Sequence, residues 1–360
     1  MKKKFVAGAA TVLSVMLLLA GCSKAPDGSK NEGTTTPPAQ TETDAEKVEA
    51  VEVRKVFVTP QWVKSVLDGQ QEESKKFVVA EAGWGSAADS PDYMNGHIPG
   101  AIHVDTSSIE GEPIWNLKTP EEVEKALLDA GITTDTTVIL YGPDPAGVAR
   151  VAHAYLWAGV KNVKVLNGGL NAWKNAGFEL EKEANEPTPV TEFGVKVPAH
   201  PEYVLSLEET KKNLESNDNF KLVSIRSYEE FVGNTSGYNY IDKAGEPKGA
   251  VWGKAGSDAY HMEDYTHEDG TYITMEEMQT LWKDLDFTTE NELSFYCGTG
   301  WRATIPFLIM YENGFDDISI YDGGWNEWQM HNDLPVQIGD PKGEVQYLTV
   351  GELSNDKKPK

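Results

Sequence analysis

Cysteine is nearly missing from this chain: its 360 residues include two, Cys22 and Cys297. So few thiols exclude a disulfide scaffold. Positive charge is scarce as well, with 32 Lys and Arg against 57 Asp and Glu and a formal charge of −25. That surface argues against nucleic acid and against peripheral binding to anionic lipid. It also repels anionic substrates, so an anion site here must be a local construction of donors and arginines. Long apolar runs are missing too, apart from one at the N-terminus. That run is shorter than the roughly 20 residues of a comfortable membrane span.

What is present begins with that run. "MKKK" precedes an apolar stretch from Phe5 to Leu19, which ends in "LAGC" at Cys22. The pattern is a secretory leader, and its terminal cysteine resembles the lipobox of bacterial lipoproteins, where the thiol receives a diacylglycerol. Residues 1–22 are therefore expected to be a signal peptide with a lipidated Cys22. Residues 23–50 hold almost no large apolar side chains and are expected to be a disordered tether. The protein is read as exported and held at the extracytoplasmic face through its lipid anchor only. Lipidation of Cys22 leaves Cys297 as the single free thiol. The remaining length exceeds one typical core and predicts two domains.

An internal repeat supports that division. "VLNGGLNAWKNAGF" at 165–178 aligns with "IYDGGWNEWQMHNDLP" at 320–335, at a shift of 155 residues. The same shift places Tyr141-Gly142 on Tyr296-Cys297 and Gly159 on Gly314. The copies span 51–185 and 200–345, with a linker at 186–199 and a polar tail at 346–360. In copy 1, "FVVAEA", "TTVILYG" and "VKVLNGG" read as strands, and "PEEVEKALLDAG" and "GVARVAHAYLWAG" as helices. In copy 2 the strands are "KLVSI", "ELSFY" and "ISIYDGG", and the helices "TMEEMQTLWKDL" and "ATIPFLIMYENG". Apolar strands that alternate with helices predict an α/β fold, with a mainly parallel sheet covered on both faces in each copy. Ligands of such sheets lie beyond the carboxyl ends of the strands. Cys297 holds that place in copy 2; Gly142 holds it in copy 1 and can do no thiol chemistry.

"GHIPGAIHVD", "KLVSIRSYEEFVG", "CGTGWR" and "DGGWNEW" together resemble the tandem-domain rhodaneses, the thiosulfate and 3-mercaptopyruvate sulfurtransferases. The resemblance implies two rhodanese-like domains, the first inactive, with the catalytic cysteine in the second. It implies a sulfane sulfur moved through a persulfide on Cys297. The partners it implies are a small sulfur donor and a thiol or cyanide acceptor, or a protein thiol such as that of a redox protein. Neither a metal nor an organic cofactor is needed. An extracytoplasmic persulfide carrier or sulfur-sensing module with little turnover is the alternative reading.

The residues carry that chemistry on their own terms. A thiolate is the nucleophile, and backbone N–H groups at a helix start favour an anion. Gly298 and Gly300 permit a tight path that aims several N–H groups inward, and Thr299 offers a hydroxyl donor. Trp301 either walls the pocket or packs between the copies. Arg302 brings a cationic fork. Cysteine phosphatases resemble this loop but place the arginine one residue further on, leaving room for a phosphate; the shorter loop here suits sulfur. Arg226 is read either as a substrate contact or as a structural arginine behind the loop. Some positions depart from the family pattern: Ser224 replaces the usual Asp two residues before Arg226, and Glu230 stands where mercaptopyruvate-type members carry arginine. His261 and His267 lie in an acidic insertion at 258–272 and match no strong metal motif.

Overall fold

The computed structural model describes residues 56–359. The leader, Cys22 and the tether lie outside the described residues. Copy 1 supplies strands β1 Phe57–Val58, β2 Phe77–Gly83, β3 Ile102–Asp105, β4 Thr137–Tyr141 and β5 Asn162–Leu166. Copy 2 supplies β6 Val204–Leu205, β7 Phe220–Ser224, β8 Glu246–Pro247, β9 Val251–Trp252, β10 Glu292–Tyr296 and β11 Ile318–Tyr321. The first sheet runs β1-β5-β4-β2-β3 and the second β6-β11-β10-β7-β9. Every pairing in both is parallel. The two orders are the same topology, so the repeat in the sequence is a repeat in space.

The central strands β4 and β10 are buried almost end to end, which explains their unbroken apolar sequences. The expected helices form, with boundaries set by caps. Pro145–Ala158 starts two residues before the expected "GVAR", because the Asp144 carboxylate accepts from the N–H groups of Ala146 and Gly147 and Pro145 takes a first-turn position. It ends at Gly159, whose φ of 114° is left-handed. Thr119 and Thr274 each close a capping box with the glutamate three residues on.

Each copy has a buried apolar cluster of its own, and a third, larger one is shared by both. Helix Pro145–Ala158 of copy 1 packs against helix Thr304–Glu312 of copy 2, with the His153 and Phe307 rings 4.5 Å apart. One buried apolar cluster runs from Val138 and Ala152 through Ile305 and Phe307 to Leu293 and Ile320. Within 346–360, read from the sequence as a polar tail, the described residues 346–359 include regular structure. They hold most of β13 Val345–Thr349, antiparallel to β12 Pro335–Gly339, which also pairs with β8. "DPKG" at 340–343 is a turn between them, and Val350 and Leu353 are buried beyond it.

The copies diverge at one backbone position. Gly142 follows β4 as Cys297 follows β10, and a β-carbon at Gly142 would run into the Ala82 carbonyl oxygen and lie 3.0 Å from Val148 Cγ2. The place of the thiol is therefore closed in copy 1. Gly142→Ala is expected to lower stability by about 1–3 kcal/mol through overpacking, measured as a shift in urea midpoint at unchanged slope.

Candidate active site

The register of β10 with β7 and β11 sets Cys297 at the carboxyl end of the second sheet, between its two neighbours. The loop that follows is fixed from behind. The N–H groups of Trp325 and Asn326 donate to the carbonyls of Cys297 at 2.9 Å and Gly298 at 3.0 Å. Only glycine allows this approach: at Gly324 φ is 54°, and a β-carbon would sit 2.6 Å from the Cys297 oxygen. This accounts for the "DGGW" block. Gly298 lies flat under the Tyr238 ring, which a β-carbon would penetrate, and Gly300 turns the chain at φ 93°. Among the described residues, none accepts a hydrogen bond from the backbone N–H groups of residues 298–302. These donors are left to an anion, and helix Thr304–Glu312, which starts just beyond, has no side-chain cap.

Arg302 is bound rather than free. Its guanidinium makes a double contact with Glu230, at 2.8 and 3.0 Å, and donates to the Tyr238 hydroxyl at 3.1 Å. Among the described residues Nε alone of its nitrogens lacks a partner. Glu230, noted in the sequence as a departure from the arginine expected there, neutralises much of the loop's positive charge. Burial works against its ionisation, but Arg302 and Arg226 outweigh that and hold its pKa at about 2. Arg226 is fully buried behind the loop and pairs with Glu230, Glu246 and the Gly245 carbonyl. It does not reach the cavity, so the structural option read for it is the one the geometry shows.

Above the loop lies a cavity of about 340 Å³ with Thr299, Trp301 and Arg302 in its lining. Cys297 itself is fully buried, close enough to Tyr238, Tyr240 and Arg302 for electrostatic interaction. Tyr238, Tyr240 and Tyr260 of copy 2 make one wall, with ring centroids 5.2 and 5.7 Å from Tyr238 to the other two. Trp84 and Trp115 of copy 1 make the other; Trp84 lies 5.3 Å from Trp115 and 6.5 Å from Trp301. Trp301 therefore walls the pocket and also packs between the copies. Its indole N–H donates to Glu110 of copy 1 at 2.6 Å, and its ring lies on Gly147. Trp115 adopts a left-handed φ of 68°, a strain of about 1–3 kcal/mol for a bulky residue. Its carbonyl accepts from Arg150 at 3.1 Å, which holds it there.

A larger cavity, about 840 Å³, lies around Trp252, Lys254 and Tyr347. Its lining contains no residue of the Cys297 loop. Trp173, Trp325 and Trp328 are buried in the core. His261 contacts Asp258, and His267 contacts Glu277 and Thr271, so the insertion's histidines serve separate surface contacts. The sequence reading missed the three tyrosines, Trp84, Trp115 and Glu110. The clustered aromatics of "GYNY" and "DAYHM" were a local signal for the tyrosines; nothing local marks Glu110.

Glu246 lies at the back of this charge cluster. Burial pushes its pKa up to about 8, against the pull of Arg226. The folded chain keeps this proton between the ordinary value of 4.5 and about 8, while the unfolded chain has released it. The unfolded state binds fewer protons in that window, so folding stability falls as pH rises through it. Glu246→Gln is expected to make that fall shallower by on the order of 1 kcal/mol per pH unit, read from urea midpoints on either side of the window.

Comparison with known proteins agrees with this geometry. The model of the rhodanese-like domain matches twice, at residues 66–176 and 206–331. The thiosulfate sulfurtransferase YnjE of Escherichia coli K12 is 43% identical over 288 residues, which cover 79% of this chain and 65% of that protein. The match thus spans less than two thirds of that relative's length. The crystal structure of YnjE superposes with a TM-score of 0.75 at 42% identity, covering 79% of this chain and 68% of the other. A cysteine-persulfide form of EanB, in a tetrahedral intermediate state with ergothioneine, superposes with a TM-score of 0.76 at 37% identity, covering 80% and 71%. The sulfur carrier protein TtuD of Thermus thermophilus is 30% identical over 264 residues, 69% of this chain and 87% of that protein. With both copies matched over more than half of its length, this chain belongs to the rhodanese-like domain family and carries the domain in tandem.

Proposed function

We propose that this chain is a sulfurtransferase that moves a sulfane sulfur from thiosulfate or 3-mercaptopyruvate to a thiophilic acceptor through a persulfide on Cys297. The observation that carries the reading is the lone thiol at the carboxyl end of β10, followed by a loop whose carbonyls are tied back and whose N–H groups are left without acceptors among the described residues. The persulfide form of EanB and the name of the E. coli relative support it.

With thiosulfate, the Cys297 thiolate attacks the outer sulfur. The S–S bond of the donor breaks, and sulfite leaves with the electron pair. The terminal sulfur of the persulfide then carries the negative charge, which the loop donors stabilise. A thiolate or cyanide attacks that sulfur, and the electron pair of the S–S bond returns to Cys297. No metal or organic cofactor takes part. Thr299 and Arg302 Nε are side-chain donors that the loop offers in this scheme, and Gly298, Gly300 and Trp301 shape the space. We place the reaction at the extracytoplasmic face of a membrane, on the strength of the leader that ends at Cys22.

A carrier with little turnover is the second reading. The neutralisation of Arg302 by Glu230 favours it, because small anionic donors meet little net positive charge. The name of the Thermus relative is in keeping with it.

Cys297→Ser is expected to reduce transfer from thiosulfate or 3-mercaptopyruvate to cyanide by more than about 10³-fold, with the circular dichroism spectrum unchanged. Transfer retained in that variant would overturn the mechanism. Single loading of the native chain without steady turnover would select the carrier.

A further inference from the structure

The cavity above Cys297 has the wrong chemistry for a small anion throughout most of its volume. Its one cationic side chain, Arg302, is held by Glu230. The rest of the surround is six aromatic rings, Met262, two alanines, Thr299, and two carboxylates, Glu110, held by Arg150 and the Trp301 indole, and Asp144, whose Oδ1 caps helix Pro145–Ala158. Aromatic faces carry negative charge density and attract cations, more so when the cation loses its water. Trp84 and Tyr260 expose 58% and 70% of their surface, so these faces are open to a ligand rather than spent on the core. Trp115 is held in a strained backbone conformation beside them, with Arg150 on its carbonyl. The backbone N–H groups left without acceptors among the described residues lie in the Cys297 loop.

Resting on the sulfurtransferase reading, we propose that the acceptor is a small thiol that bears an ammonium group, and that the first copy supplies half of the cage that recognises it. The cation lies between the tryptophans of copy 1 and the tyrosines of copy 2, with the Asp144 carboxylate on the same lining. The thiolate end faces the loop. It attacks the terminal persulfide sulfur, the S–S bond to Cys297 breaks with its electron pair returning to Cys297, and the acceptor leaves as a persulfide. The catalytically silent copy is thus the specificity-determining half of the site.

The test is binding of choline to the full chain, followed by calorimetry and tryptophan fluorescence. The control is 3,3-dimethylbutan-1-ol, a neutral molecule of the same shape. Choline is expected to bind saturably and at least about tenfold more tightly than the alcohol. Trp84→Ala, an exposed position where folding is not at stake, is expected to weaken choline by a similar factor. Cys297→Ser is expected to bind choline like the native chain, which separates recognition from sulfur chemistry. Equal affinity for choline and the alcohol, or no saturable choline binding by the folded chain, would overturn the proposal. If choline binds selectively while no sulfur loads onto Cys297, the cation site stands and the sulfurtransferase reading falls.

Discussion

Arg150, fully buried in the first copy, is the residue on which the site's shape depends. Its Nε donates to Glu110 at 2.9 Å, it forms an ion pair with Asp322 of the second copy at 2.6 Å, and it bonds the Trp115 carbonyl. Each partner continues the chain of contacts. Glu110 holds the Trp301 indole, and Asp322 accepts the Leu117 N–H at 2.7 Å while standing at the head of the two glycines that let the loop be tied back. Buried charges of this kind are expensive to leave unpaired, at about 3–5 kcal/mol when one partner is removed. The loop's conformation is therefore a property of both copies, and the two cannot be pulled apart without exposing an unpaired charge.

This arrangement gives the first copy a reason to persist without a nucleophile. In this copy the position that matches Cys297 is closed at Gly142 by the Ala82 carbonyl. Its outer loops have instead become a wall of the other copy's cavity. Asn326 of the second copy reaches the carbonyls of Pro113 and Ile114, so the segment that carries Trp115 is fixed from both sides. The sheet duplicates, but the work divides: one copy supplies the thiol and the donors, the other the tryptophans and the carboxylate that positions Trp301.

Much of this was legible in the sequence because it is local. Apolar strands such as "TVILY" and "ELSFY", helices closed by Gly159 and Gly314, and the thiol followed by Gly298 and Gly300 each write their physics into a few adjacent residues. The tertiary partners do not. Glu110 and Trp301 are 191 residues apart, and nothing in the spacing of either predicts the other. Arg226 was ambiguous because its motif fixes its place on the strand end but not the direction of its guanidinium. Glu246, far off in sequence, decides that. The tail was read only as polar, because composition does not carry the hairpin register with β12 or the burial of Val350 and Leu353.

The central claim is that sulfur itself is carried on Cys297. It is tested most directly by the intact mass of the full chain after brief exposure to thiosulfate or to 3-mercaptopyruvate. The account predicts a gain of one sulfur atom, lost on adding cyanide and absent in Cys297→Ser. An unchanged mass with both donors, or a gain that survives in Cys297→Ser, would contradict it.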